Sequence, residues 1–223
     1  MGVILPNSNN QDQKTIHYSL VQGKNLLLIF TRNPELGKCK TRLAVEVGDK
    51  RTLDIYKFLL AHTVKITRNL NLAKKVYYSE EIWENDIWDR AFFDKKLQVG
   101  DHLGERMANA FQEGFEAGFE KICIIGSDMF DLDQTDIENA FIALGQKDFV
   151  VGPATDGGYY LLGMKALKAE LFKDKTWGGE TVLEDTLAHL KNEKVHLLER
   201  RNDVDVYEDI KDNEAFQPFL KDL

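Results

Sequence analysis

An α/β fold, with a mostly parallel mixed sheet sandwiched between helices, is what this sequence predicts, and three observations predict it. Short apolar runs such as "LLLIF" at 26–30, "ICIIG" at 122–126 and "FVVG" at 149–152 carry almost no polar alternation. Such runs suit strands covered on both faces. Segments with apolar residues every three or four positions lie between them, which is the helical period. Finally, "FVVGPATDGGYYLLG" sets two apolar runs about an Asp-Gly turn, which adds an antiparallel member. Strands alternating with helices stack as an α/β sandwich.

The elements follow in order. Residues 1–23 are polar, Asn/Gln-rich and weakly patterned, and predict a flexible extension; 24–223 read as one domain. "KNLLLIFTR" is the first strand and "NPELGKCKTRL" a loop after it. Leu53, Tyr56, Leu60, Val64 and Thr67 mark an amphipathic helix, and "KKVYYS" a second strand. "IWENDIWDRAFF" has helical spacing through Trp83, Ile87 and Ala91, and "KLQVG" reads as a short strand. A helix over 103–119 places Leu103, Met107, Phe111 and Phe115 on one face. "KICIIGSD" is another buried strand, and Thr135 with Glu138 predicts a capping box opening the next helix. After the Asp156 hairpin come a helix at "ETVLEDTLAHL", a strand at "VHLLE" and a last helix after Asp205.

Composition narrows the function. Of 223 residues, 43% are hydrophobic, enough for a sizeable core. The balance of 29 basic against 37 acidic residues, net −8, argues against nucleic-acid binding, which needs a basic footprint. Cys39 and Cys123 are far apart and outside any C-x-x-C pattern, so neither a disulfide scaffold nor a zinc site is expected. No secretory pattern and no membrane-length apolar run is present, and a cytoplasmic setting is the expectation.

In open α/β sheets, ligands bind beyond the carboxyl ends of the strands. The first strand delivers Arg32, Lys38, Lys40 and Arg42 around Gly37. Later strand ends deliver carboxylates: Asp128 in "GSDMFDLD", Asp156 in "TDGG", and Asp203 and Asp205 in "RRNDVDVYED". That segregation suits a metal–polyphosphate site, where Lys and Arg meet phosphate oxygens and carboxylates hold Mg²⁺ or Mn²⁺. A Walker loop is excluded, since it needs glycine at Arg32 and Ser or Thr at Cys39, and no G-x-G-x-x-G is present.

Each candidate has a plainer reading. A basic loop is also an ordinary solvated surface. Asp156 and Gly157 also make a tight turn, although Gly158 and Tyr159 are then less well explained. Asp203 and Asp205 could equally cap the last helix. Asp128 ends a buried strand, where a carboxylate is either a helix-entry residue or a ligand, and Thr135 taken as the helix cap weakens the first reading. Asp131 and Asp133 read as solvating residues. His62, His189, His196 and His102 show no zinc spacing, and no hydrolytic triad signature occurs.

Taken together, "FTRNPELGKCKTRL", "GDHLGERMANAF", "IIGSDMFDL", "VGPATDGGYYLLG", "WGGETVLEDTL" and "DVDVYED" resemble the blocks of the DUF2064 family in matching order. That family is GT-A-like, described as glycosyltransferase-like or nucleotide-diphospho-sugar transferase-like. The resemblance covers nearly all of the chain after Lys24. It implies a nucleotide-binding GT-A-like domain with a divalent metal, a nucleotide-activated donor and a small-molecule acceptor. By matching position, Lys38, Lys40 and Arg42 would face phosphates and Asp128 would hold the metal. Asp156, Gly157 and Gly158 would line the acceptor or metal side. Leu103, Gly104, Glu105 and Arg106 match an L-G-E-R block. Phe130 stands where the family usually has proline, and "WGGET" replaces a more usual Trp-Ser-Thr.

Two reactions suit these motifs. One is glycosyl transfer from a nucleotide sugar, with Asp156 assisting the acceptor and Asp128 the metal. The other is nucleotidyl transfer to a phosphorylated small molecule, which needs positioning and charge neutralisation but no base. A nucleotide-binding protein without turnover is the non-enzymatic alternative.

Overall fold

The computed structural model describes residues 23–221, so all but the last residue of the 1–23 extension lies outside the described residues. Seven strands form one sheet in the order β3-β2-β1-β4-β6-β5-β7. They are β1 (Asn25–Thr31), β2 (Ala73–Tyr78), β3 (Asp94–Leu97), β4 (Lys121–Gly126), β5 (Phe149–Pro153), β6 (Tyr159–Met164) and β7 (Val195–Leu197). Every pairing is parallel except those of β6, which runs against β4 and β5. The expected fold class and the antiparallel member at the Asp156 turn are both present.

Alternation along the central strands divides the core. Leu27, Ile29, Cys123 and Ile125 belong to one buried layer with Tyr56 and Leu60 of α2 (Asp49–Thr67) and Ile137 of α4 (Gln134–Ala143). Leu26, Leu28, Ile122 and Ile124 belong to the other, with Met107 and Phe111 of α3 (Leu103–Glu116). The doubly apolar runs are therefore a consequence of two covered faces. Cys39 and Cys123 are free and buried.

Chain order turns back beside β1: β2 and β3 extend one way, and β4 lies on the other side. This switch point is where a crevice opens beyond the strand ends. Phe30 pairs with Gly126, so β1 and β4 end level. The loops that follow them are held side by side.

Four local expectations fail, each for a physical reason. Residues 81–93 form no helix. Asp86 accepts from the Trp88 amide at 2.9 Å and Asp89 from the Ala91 amide at 2.8 Å, giving the backbone local partners that compete with helical ones. The loop after β1 contains a short helix, α1 (Thr41–Val47), which no side chain caps and so left no signal. Helix α4 is capped by Asp133, reciprocally with Asp136, rather than by Thr135. The last helix is broken into 3₁₀ turns at Tyr207–Asp209 and Glu214–Phe216 and a one-turn α6 (Gln217–Leu220).

That broken tail is anchored by aromatic packing. Phe130 lies 4.9 Å from Phe216, edge to face, and 5.5 Å from Phe58, stacked. The phenylalanine that departs from the family's proline thus ties the loop after β4 to α2 and the chain's end. Phe130→Ala is expected to cost about 3 kcal/mol, at the lower end for a large-to-small change because Phe130 is half-buried. Urea unfolding checks this through the midpoint at constant slope.

Candidate active site

Lys40 is the centre of the site. It sits at the start of α1 with φ 47°, a left-handed conformation that a side-chain-bearing residue adopts at a cost. Its side chain is 9% exposed, and the ammonium reaches Asp128 Oδ2 at 2.6 Å and Asp205 Oδ1 at 3.7 Å. Arg42 pairs with the other oxygen of Asp205. Cations from the β1 loop therefore meet carboxylates from the β4 loop and the tail across the switch point.

Burial works against the charge on Lys40, but Asp128, then Asp205 and Asp203, more than offset it and hold the ammonium's pKa above its usual value. For Asp128 burial likewise opposes ionisation. Lys40 outweighs it, with a smaller contribution from Arg32, and keeps the carboxyl below the ordinary carboxylate range. The Asp128 side chain remains 40% exposed, so the ion pair is open on one side. Beneath it, Ser127 donates to Thr31 Oγ1 at 3.0 Å, and the Tyr56 hydroxyl lies 3.3 Å from Ser127 Oγ. Tyr56 also accepts from the Arg32 amide at 3.0 Å. This buried hydroxyl chain joins the ends of β1 and β4 to α2, and nothing in its spacing announced it.

The β5–β6 turn supplies the opposite wall. Asp156 Oδ1 accepts from the Gly158 amide at 2.8 Å, so the carboxylate closes the turn. Gly157 has φ 91°, and a Cβ there would fall 2.1 Å from the Glu180 carbonyl oxygen. Its bareness admits the segment before α5 (Val182–His189), whose Leu183 amide donates to the Gly157 carbonyl at 2.9 Å. The close approach at Gly157 is made by the protein's own chain.

Between these walls is a cavity of about 250 Å³. Asp128, Asp156 and Asp203 border it, and Phe30, Met107, Tyr159 and Trp177 are among the apolar and aromatic side chains of its lining. Among the described residues no lysine, arginine or histidine lines it. Burial, then the neighbouring Asp156, pushes the Asp203 carboxyl up to about 6. Carboxylates thus outnumber cations at this face. The described residues hold no cluster of three His, Cys, Asp or Glu side chains placed to bind a metal on their own.

The other sequence candidates divide. Asp205 joins the Lys40 cluster, while the capping role is taken by Asp209, which accepts from the Asp205 and Val206 amides at 2.8 Å. Arg32 is exposed but near enough to act on Asp128. Lys38 turns away, pairing with Glu35 at 3.0 Å and Glu80 at 3.3 Å, and Gly37 lies in the exposed turn before it. His102 is the N-cap of α3, accepting from the Glu105 amide at 3.2 Å. Trp177, Leu103 and Met107 were not foreseen as site residues, although their motifs had been noticed.

A mixed sheet with a charged crevice at its switch point defines a transferase-like enzyme of the nucleotide-diphospho-sugar transferase, GT-A-like, class. The chain belongs to the DUF2064 family, described as "Uncharacterized protein conserved in bacteria", whose match spans residues 62–179. Among solved structures it resembles a candidate nucleotide-diphospho-sugar transferase from Desulfovibrio desulfuricans G20, with 27% identity, TM-score 0.78, and 89% of this chain and 94% of that one covered. It shares the fold of 4-diphosphocytidyl-2C-methyl-D-erythritol synthase from Anaerococcus prevotii DSM 20548, at 12% identity and TM-score 0.57 over 89% and 98% of the two chains. It shares it too with a cytidylyltransferase from Leptospira borgpetersenii serovar Hardjo-bovis (strain JB197), at 13% identity and TM-score 0.53 over 84% and 83%. No curated protein matches. No helix among the described residues is long and apolar enough to cross a membrane.

Lys40→Met leaves Asp128 and Asp205 without their shared cation. The expected loss of stability is about 2 kcal/mol, below that of a fully buried broken pair because Asp128 is partly hydrated. Affinity for a nucleoside diphosphate is expected to fall at least ~10-fold, since charge-assisted bonds to phosphate are lost. Urea unfolding and calorimetry with UDP and GDP measure the two effects.

Proposed function

We propose that the protein transfers a glycosyl group from a nucleotide-diphosphate sugar to a small hydroxyl-bearing acceptor. The observation that carries this reading is the lining of the cavity beside Asp128: apolar walls, three aspartates and, among the described residues, no cationic side chain. A phosphorylated acceptor, as nucleotidyl transfer requires, would find no cationic side chain in that lining among the described residues. A neutral hydroxyl would meet a carboxylate able to take its proton. The candidate sugar transferase from Desulfovibrio desulfuricans G20 supports the same direction.

In this reading Lys40, Arg42 and Arg32 neutralise the diphosphate as it departs. The bond from the sugar's anomeric carbon to the phosphate oxygen breaks, and its electron pair leaves with the nucleoside diphosphate. Asp156 takes the acceptor's hydroxyl proton as the new carbon–oxygen bond forms. One Asp156 oxygen is occupied by the Gly158 amide, which fixes the carboxylate's orientation and leaves its second oxygen for the acceptor.

A divalent cation fits the donor set. Asp128 is a partly exposed carboxylate in a site with surplus negative charge, and Mg²⁺ or Mn²⁺ is commonly held by one or two carboxylates completed by substrate phosphates. When bound it would supply further charge neutralisation for the diphosphate. Asp128 would hold it, with Asp156 kept for the acceptor.

Incubation with Mn²⁺ and panels of NDP-sugars and NTPs, with hydroxyl and phosphorylated acceptors, is the direct test. Release of nucleoside diphosphate is expected; release of pyrophosphate would establish nucleotidyl transfer instead. Asp156→Asn is expected to lower kcat by roughly 10²–10⁴-fold, the usual worth of a positioned general base. Mn²⁺-dependent affinity for the nucleoside diphosphate should persist in that variant, and its loss would move Asp156 to the metal.

A further inference from the structure

Gly104 and Trp177 are far apart in sequence, and neither has a part in the proton or charge chemistry above. The structure joins them. A Cβ placed on Gly104 would lie 2.6 Å from Trp177 Nε1, 2.7 Å from Cζ2 of the same ring and 2.4 Å from the Phe172 carbonyl oxygen. The indole edge therefore rests on a bare backbone at the start of α3. Because one of the three neighbours is backbone, an added methyl cannot be relieved by a side-chain turn alone. On the same segment, Lys175 donates to Thr186, a fully buried threonine of α5, and its ammonium stands 5.9 Å from the Trp177 ring centroid. The indole is fixed by α3 on one side and by its own segment's anchor on another, and it lines the cavity together with Leu103.

Resting on the glycosyl-transfer reading, we infer that Trp177 is the platform on which the donor's sugar ring lies, and that Gly104 is the positioning residue that seats it. The chemistry of the cavity specifies the occupant. An uncharged sugar ring has an apolar C–H face and a rim of hydroxyl donors. The cavity answers with a held indole for the face and the Asp203 carboxyl for the rim. The group attached to the diphosphate is the one that reaches this cavity, because Asp128 stands on its border beside Lys40. The substrate class is then an NDP-sugar with an uncharged ring, and a uronate would be disfavoured by a lining in which no described residue offers its carboxylate a cationic side chain.

Calorimetry with Mn²⁺ compares UDP with UDP-glucose, UDP-galactose and UDP-glucuronate, and GDP with GDP-mannose. The best neutral NDP-sugar is expected to bind the wild type more tightly than its own NDP. Trp177→Ala should weaken that NDP-sugar about 10-fold while leaving the NDP within about twofold. Trp177→Phe should recover most of the difference. Gly104→Ala should reproduce the selective loss, and the Gly104→Ala/Trp177→Ala double variant should lose no more than Trp177→Ala alone, which a general structural defect would not produce. Thermal unfolding of each variant separates local displacement from loss of the fold.

Equal weakening of NDP and NDP-sugar in Trp177→Ala, or no change in either, overturns the platform. A wild type that gains nothing from the sugar does the same, while leaving glycosyl transfer to stand or fall on its released product. Full additivity in the double variant removes Gly104 from the seating role. A wild type that binds neither NDP nor NDP-sugar overturns the glycosyl-transfer reading itself, and this inference with it.

Discussion

A nearly buried ammonium at Lys40 constrains everything around it. Desolvating such a group is expensive unless opposite charge is close and held there. Asp128 answers from the end of β4 and Asp205 from the tail, so one cation joins three parts of the chain that are remote in sequence. The arrangement requires β1 and β4 to end level, which their register provides. It also requires the backbone at Lys40 to hold a left-handed conformation. Local strain and a buried charge at one residue mark a site shaped for more than folding.

The charge balance beyond that pair has its own consequence. Lys40 is shared between Asp128 and Asp205 and Arg42 pairs with Asp205, while burial, then the neighbouring Asp156, makes Asp203 bind its proton more tightly. A polyphosphate arriving alone would add negative charge to a face already in surplus. Phosphate and a divalent cation arriving together would not. This electrostatic argument, rather than any assembled ligand cage, is the reason to couple metal to nucleotide in the proposed chemistry.

Much of the frame was legible because it rests on local pattern. The doubly apolar strands, α2, α3, α5 and the hairpin at Asp156 follow from period and turn chemistry. Asp128 was legible because a carboxylate ending a buried strand has few structural duties, although the helix cap that freed it proved to be Asp133, not Thr135. Side-chain direction in a loop was not legible. Lys38 and Lys40 are two residues apart, yet one turns to Glu35 and Glu80 while the other enters the site. What separates them is the left-handed backbone at Lys40 itself, which sequence spacing cannot reveal. The 81–93 segment failed similarly, its helical period outweighed by aspartates bonding their own backbone.

The glycines show how a motif noticed in sequence can serve the chain's own packing. Bareness at Gly157 admits the Glu180 carbonyl. Gly104, in a block with no assignable role, receives the Trp177 indole. Both glycines pack against the one segment between β6 and α5, so this wall of the cavity is positioned by two close approaches. Substrate discrimination in this fold would then be set by backbone clearance at two remote positions as much as by the side chains that touch the substrate.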